Sequence, residues 1–171
     1  MQPFQTRRLT LLPLCMDMVS QVQALSVDAD NRRYVPDEVF ETIEEAADTV
    51  QALISFYGQP DAPQVYGVMR TEGELIGWVQ AAPLEGGWEL GYHIGADYAG
   101  QGYATEAAQA FLPCIMDELG IDEMAGICLA DNAASRRVLE KLGGILEFEG
   151  VAPYQGVPRP ICRMRLILFS I

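Results

Sequence analysis

The residues best suited to chemistry lie in two stretches about thirty residues apart, LGYHIGADYAGQGYATEAAQAF and DNAASRRVLEKLGG. In the first, a strand is expected to end near Ile94, a turn runs through Gly100-Gln101-Gly102, and a helix opens at Tyr103. Small residues let the backbone fold tightly there. Several N–H groups between Gly100 and Thr105, those of Tyr103 and Ala104 among them, can then converge ahead of the helix. With the helix dipole behind them, these donors suit an anion such as phosphate. No basic side chain is required for this, and none stands within the turn. Glycine pairs also mark ordinary left-handed turns at helix starts. A dinucleotide site fits poorly, because Thr105 stands where G-x-G-x-x-G needs its third glycine and no βαβ unit is expected. A Walker loop is excluded, since no GK[ST] follows. The diphosphate of coenzyme A is the third candidate.

In the second stretch, Asn132 is well placed to cap a helix, and Ser135 lies one turn inside it. Arg136 and Arg137 follow as candidate phosphate partners or solvated side chains. His93, the only histidine, titrates in a range suited to proton transfer, but its place in a strand favours a backbone contribution.

These groups need a frame. QTRRLTLLPL reads as a first strand and residues 16–25 as a short helix, while 28–40 reads as a loop with a helical turn. Ile43, Ala46, Ala47, Val50, Leu53, Ile54 and Tyr57 recur at helical spacing. Thr42 and Glu45 form a capping box, and Gly58, Pro60 and Pro63 should stop this helix. Strands over 64–70, 74–82 and 88–95, separated by TEG and PLEGG, predict an antiparallel meander. A helix over 103–119 presents Ala104, Ala108, Phe111, Ile115 and Leu119, with Pro113 expected to kink it. A strand over 124–130, a helix over 132–142 and closing strands over 144–149 and 161–169 complete the chain. The order β-α-α-β-β-β-α-β-α-β-β predicts an α/β fold with a mixed central sheet and helices on both faces. At least one right-handed parallel crossover is expected around the 103–119 helix.

At 171 residues, one domain spanning 1–171 is expected. Twenty-four acidic against eleven basic residues give a net charge of −13, which opposes nucleic-acid backbones and could favour cationic acceptors. No apolar run is long enough for a membrane span, and no signal peptide is evident. Four scattered cysteines without CxxC spacing predict neither a structural metal nor a disulfide framework, and fit a cytoplasmic compartment.

The pairing of G-x-G-Y-A-T-E-A with N-x-x-S-x-x-x-L-E-K-L-G resembles the GNAT superfamily of N-acetyltransferases. The nearest branch is that of the ribosomal-protein N-terminal acetyltransferases. The resemblance spans TRRLTLLPL, ELIGWVQ, ELGYHIGADYAGQGYATEA and DNAASRRVLEKLGG. It implies acetyl-CoA as donor and an amine-bearing acceptor, with Gly100, Gln101, Gly102, Tyr103, Ala104 and Thr105 cradling the diphosphate. Ala99 departs from the family, whose turn begins with Gln or Arg. The resemblance also implies that Tyr92, His93 and Ile94 form the strand edge that pairs with the pantetheine arm, and that Asn132 meets that arm.

The same resemblance suggests Glu89 as the base that receives the amine's proton and Ser135 as the proton donor to the leaving thiolate. A backbone N–H near Ile94 would polarise the thioester carbonyl. Simple alternation puts Glu89, Gly91 and His93 opposite Trp88, Leu90, Tyr92 and Ile94, unless a bulge intervenes. Other members use a tyrosine seven residues after the asparagine; Leu139 stands there, so that role does not carry over. Tyr154, in the loop APYQGVPRP, is a candidate wall of the acceptor pocket. Cys114 and Cys128 read as buried thiols of low reactivity, which favours direct transfer over an acyl-enzyme. A coenzyme A-binding module without turnover is the alternative. An exposed sheet edge leaves a homodimer open.

Overall fold

A computed structural model describes residues 2–59 and 61–168 of the chain. The first part runs β1 (Phe4–Gln5), β2 (Leu9–Pro13), α1 (Val19–Ser26), α2 (Ala29–Tyr34) and α3 (Ile43–Phe56). The meander follows as β3 (Gln64–Arg70), β4 (Leu75–Leu84) and β5 (Gly87–Ile94), then α4 (Tyr103–Leu119), β6 (Glu123–Leu129) and α5 (Ala133–Lys141). A hairpin, β7 (Ile145–Tyr154) and β8 (Val157–Ile167), closes the fold. The strands form one sheet in the order β1-β2-β3-β4-β5-β6-β8-β7. Every neighbouring pair is antiparallel except β5 and β6, which are parallel and joined by α4.

The expected helices cover both faces because each strand alternates. Leu9, Leu11, Tyr66, Val68, Leu90, Phe111 and Ile115 are buried together under α4. On the other face, Leu14, Val22, Ala46, Val50, Val65 and Trp78 pack beneath α1 and α3. Each such valine, leucine, isoleucine or phenylalanine removed from water contributes about 1.5–3 kcal/mol. The pairing of β3 with β4 shifts register between Val68 and Met69. The shift flips the alternation of β4, so Trp78 joins the α1 face while Ile76, Val79 and Ala81 stay with α4.

Several expectations are corrected. The single strand predicted over 5–14 is split: a short β1 ends at Gln5, β2 begins at Leu9, and Phe4 pairs with Leu11. The helical turn expected within 28–40 is α2, six residues long, nucleated because the Asp28 side chain accepts from Asn31 N–H at 2.7 Å. The capping box of α3 is present as expected. Ile43, however, is 52% exposed, and Tyr57 lies beyond the helix, its hydroxyl directed at the carbonyls of Leu14 and Val65. In α4 the predicted Ala108, Phe111 and Ile115 are buried and Ala104 and Leu119 are half-buried, but Tyr103, Ala107, Leu112 and Met116 are buried beside them, so the packed face is wider than predicted. The helix continues through Pro113, which is exposed; the carbonyl that loses its donor belongs to exposed Gln109 and opens to water. Cys114 is exposed rather than buried. APYQGVPRP is the end of a long hairpin, turning at Gln155 (φ 52°) and Gly156 (φ 77°), and Tyr154 is the last residue of β7. Pro60 and Phe169 lie outside the described residues.

Candidate active site

Strands β5 and β6 pair only at Glu89–Ala125 and Leu90–Gly126. Beyond Leu90 they separate, although each continues for several residues. β5 keeps its other neighbour: Trp78 pairs with His93, and Gly95 N–H donates to the Ile76 carbonyl at 2.9 Å. Backbone groups alternate along a strand, so those of Tyr92 and Ile94 face the gap while those of His93 and Gly95 face β4. The gap opens into a cleft of about 820 Å³ that crosses the sheet.

On the α4 side, Gly100 (φ 74°) and Gly102 (φ 82°) adopt left-handed backbone that favours glycine. Gly102 occupies the cap position of α4 but has no side chain with which to cap it. Among the described residues, no backbone bond engages the N–H groups of residues 100–105, and the first recorded at this end runs from Glu106 N–H to the Gly102 carbonyl. The helix therefore presents unspent donors to the cleft. A cation also borders the turn, which the local sequence did not reveal. Arg8 donates to the Gln101 carbonyl at 3.1 Å and lies 4.4 Å above the Tyr103 ring. It is paired with Glu106 at 2.6 Å. Burial opposes the charge on Glu106, but hydrogen bonds from Thr6 and Arg8 outweigh it and hold the carboxyl below its ordinary range.

The predicted residues converge on the cleft with one exception. Glu89, Tyr92, His93, Ile94, Gly100, Gly102, Tyr103, Ala104, Thr105, Asn132 and Ser135 all border it. Gln101 does not; its amide turns back toward the Asp97 carbonyl. Asn132 caps α5, its Oδ1 accepting from Ser135 N–H at 3.0 Å. Ser135 Oγ is 2.8 Å from the Tyr92 hydroxyl, which also donates to the Ser135 carbonyl at 3.0 Å. Tyr92 thereby ties β5 to α5 across the gap, and burial pushes its hydroxyl well above the ordinary tyrosine range. Arg136 is committed to Glu149 at 2.9 Å and Glu140 at 3.4 Å, whereas Arg137 is exposed at the cleft.

On the opposite side, β5 keeps simple alternation, so Glu89 faces away from the α4 core that holds Leu90. Burial, reinforced by the Glu38 charge, pushes the Glu89 carboxyl up to about 7 despite the opposing effect of Arg163. No hydrogen bond engages that carboxyl among the described residues. His93 is structural: its Nε2 is 2.9 Å from the Leu25 carbonyl and 3.3 Å from Asp28, and its ring lies 4.6 Å from Trp78. Cys128 is buried at the cleft wall, and burial pushes its thiol up to about 11, which leaves little thiolate near neutral pH. Among the described residues no three His, Cys, Asp or Glu side chains are grouped to hold a metal. No described helix is long and apolar enough to cross a membrane.

The Acetyltransferase (GNAT) domain model matches residues 8–145, most of the chain. The chain belongs to the GNAT acetyltransferase family. Its relatives include the uncharacterized N-acetyltransferase YnaD of Bacillus subtilis, 29% identical over 140 residues, covering 81% of this chain and 79% of that protein. An acetyltransferase of the GNAT family from Bacillus anthracis has the same fold, with TM-score 0.81, 24% identity and coverage of 97% and 98% of the two chains. So does RimL, a ribosomal L7/L12 α-N-protein acetyltransferase in complex with coenzyme A, with TM-score 0.83, 21% identity and 98% of each chain covered.

The residues present fit the GNAT donor, acetyl-CoA. A ribbon of unspent N–H groups suits its diphosphate, and a Cβ at Gly100 would meet nothing within 4 Å, so the approach is open. The Tyr92 and Ile94 backbone groups facing the gap suit the amides of an extended arm, which would complete the broken ladder.

Proposed function

We propose that this GNAT acetyltransferase moves the acetyl group of acetyl-CoA directly onto a primary amine within one domain spanning residues 1–171. The carrying observation is that one cleft joins an anion-receptive turn to a half-buried carboxylate with no hydrogen-bond partner among the described residues, Glu89. An amine arrives protonated near neutral pH, and a carboxyl raised to about 7 is matched to receiving that proton. The Ile94 N–H polarises the thioester carbonyl from the gap. Ser135, backed by the Tyr92 hydroxyl at 2.8 Å, donates toward the departing thiolate. The inert environment of Cys128 supports direct transfer without an acyl-enzyme. Backbone donors of residues 100–105 hold the diphosphate, with Arg137 at the cleft edge for a further phosphate.

A matched pair of substitutions tests this reading. Asparagine tolerates left-handed backbone, so Gly102→Asn and Gly102→Asp impose similar strain and differ mainly in charge. Calorimetric titration with acetyl-CoA should show Gly102→Asp binding at least about tenfold more weakly than Gly102→Asn, since 1.4 kcal/mol is tenfold. Equal affinities would refute the anion site. Thiol release from acetyl-CoA on adding primary amines tests turnover, and none with any amine would leave a coenzyme A-binding module.

A further inference from the structure

The part of the cleft facing α1 and α2 is lined by hydrogen-bond acceptors with unspent capacity. Trp78 and Gln80 lie two residues apart on β4, opposite His93 and Gly91. Gly91 has no side chain, and a Cβ there would lie 2.8 Å from Gln80 Nε2, so glycine makes room for the amide. Gln80 Nε2 donates to Glu38 Oε1 at 2.7 Å, and Trp78 Nε1 donates to Glu38 Oε2 at 3.1 Å. Two neutral donors thus orient the Glu38 carboxylate without neutralising it, and no salt bridge engages it among the described residues. Burial pushes its carboxyl up, and so does the neighbouring charge of Asp37. Glu89 sits on the same face of the sheet, its charge opposed by that of Glu38.

A third acceptor lies beside them. Asn31 is 1% exposed and borders the same cleft. Its Nδ2 is spent on the Ser26 and Glu38 carbonyls, both at 2.9 Å, while its Oδ1 has no partner. Carboxylates largely withdrawn from water are ordinarily paired, and a buried acceptor left without a donor is costly. Two carboxylates and an amide oxygen in one wall therefore call for a ligand that brings both positive charge and several N–H donors. Tyr154 adds an aromatic wall to the same cleft, and such a wall suits an ammonium group.

We propose that the acceptor is a dicationic amine: Glu89 takes the proton of the reacting ammonium while Glu38 holds a second cationic nitrogen of the same molecule. The proposal rests on the amine-acetylation reading and names its substrate class. The second nitrogen is not acetylated; it stays protonated beside Glu38, with Asn31 Oδ1 available to one of its N–H groups. The reacting ammonium loses one proton to Glu89. As the N–C bond forms and the C–S bond breaks, the nitrogen loses a second proton, which the Ser135 hydroxyl relays to the thiolate, so coenzyme A leaves as its thiol and Ser135 is restored.

The test compares three amines of one chain length that differ only at the far end: 1,4-diaminobutane, butylamine and 4-aminobutyrate. With wild-type enzyme and saturating acetyl-CoA, kcat/KM for the diamine should exceed that for butylamine by at least tenfold, and 4-aminobutyrate should be slower than both. Glu38→Gln should bring the diamine down toward butylamine, with the loss falling on KM, because the reacting nitrogen still meets Glu89. Thermal shift of wild-type protein with coenzyme A should rank the amines identically, and this readout needs neither turnover nor a folded variant. Equal values for diamine and monoamine in both measurements would overturn the proposal. So would a diamine preference that survives in folded Glu38→Gln. Absence of turnover with every amine, while the diamine alone raises the melting temperature, would remove the acetyl-transfer reading and leave the dication site standing.

Discussion

Glu89 carries most of what is testable at the scale of a single residue. Its neighbours push the carboxyl from 4.5 to about 7, chiefly by burial. The proton-accepting form therefore appears as pH rises through about 7, and kcat/KM should climb over that range. Glu89→Gln should lower kcat by roughly 10² to 10⁴ and leave acetyl-CoA affinity unchanged. Stability moves the other way. A carboxyl whose folded pKa is raised binds its proton more tightly in the native state, so stability present below 4.5 is lost as pH rises to about 7. Glu89→Gln removes that loss. Urea unfolding should show the variant gaining about 3 kcal/mol over wild type at pH 8 and little at pH 4. A gain independent of pH would deny the shift. His93 shows the opposite lesson, since the sole histidine looked chemically promising and is used to brace β5 against α1.

At the scale of elements, the site depends on how β4 delivers β5 to the gap. Gly77 is required for this, because a Cβ there would stand 2.0 Å from the His93 carbonyl. Gly77→Ala must displace backbone rather than a flexible side chain. It should cost roughly 2–4 kcal/mol by thermal unfolding and weaken acetyl-CoA binding as Tyr92 and Ile94 shift. Loss of stability with unchanged affinity would show that the edge does not bind the donor. Removing the α3 cap with Thr42→Ala should cost about 1 kcal/mol and leave kinetics untouched, since that cap is remote from the cleft. The capping box was legible because both partners lie within four residues. The closing strands were legible only in part, and the outer end of the β7–β8 hairpin, residues 150–160, was not. Pro153 faces Pro158 and Val151 faces Pro160, and prolines that lack ladder donors read as loop until the register shows them paired near the hairpin's end.

Across the whole molecule, charge and ligand linkage set expectations independent of the catalytic residues. The net charge of −13 attracts cations at long range. For a diamine, kcat/KM should fall as ionic strength rises from about 10 to 200 mM, as the screening length shortens from roughly 30 Å to below 10 Å. For an uncharged hydroxylamine derivative the same change should do little. Acetyl-CoA at 100 times its Kd should stabilise the native protein by about 2.7 kcal/mol, read as a rise in melting temperature that NAD at equal concentration does not produce.

The amino-acid sequence by itself determined the meander, the capped helices, the glycine turn ahead of α4 and the membership those motifs announce. Each follows from spacing within one segment, where periodicity and local backbone preference act. Only the tertiary structure decided that β5 and β6 part after Leu90, that Arg8 and Glu106 flank the turn across 98 residues, and that Glu38 stands over Gln80 across 42. Such pairings arise from packing between elements distant in sequence, and burial then shifts the carboxyls far from their ordinary behaviour. The residue types at the site were visible in the chain; their protonation and their partners were products of the fold.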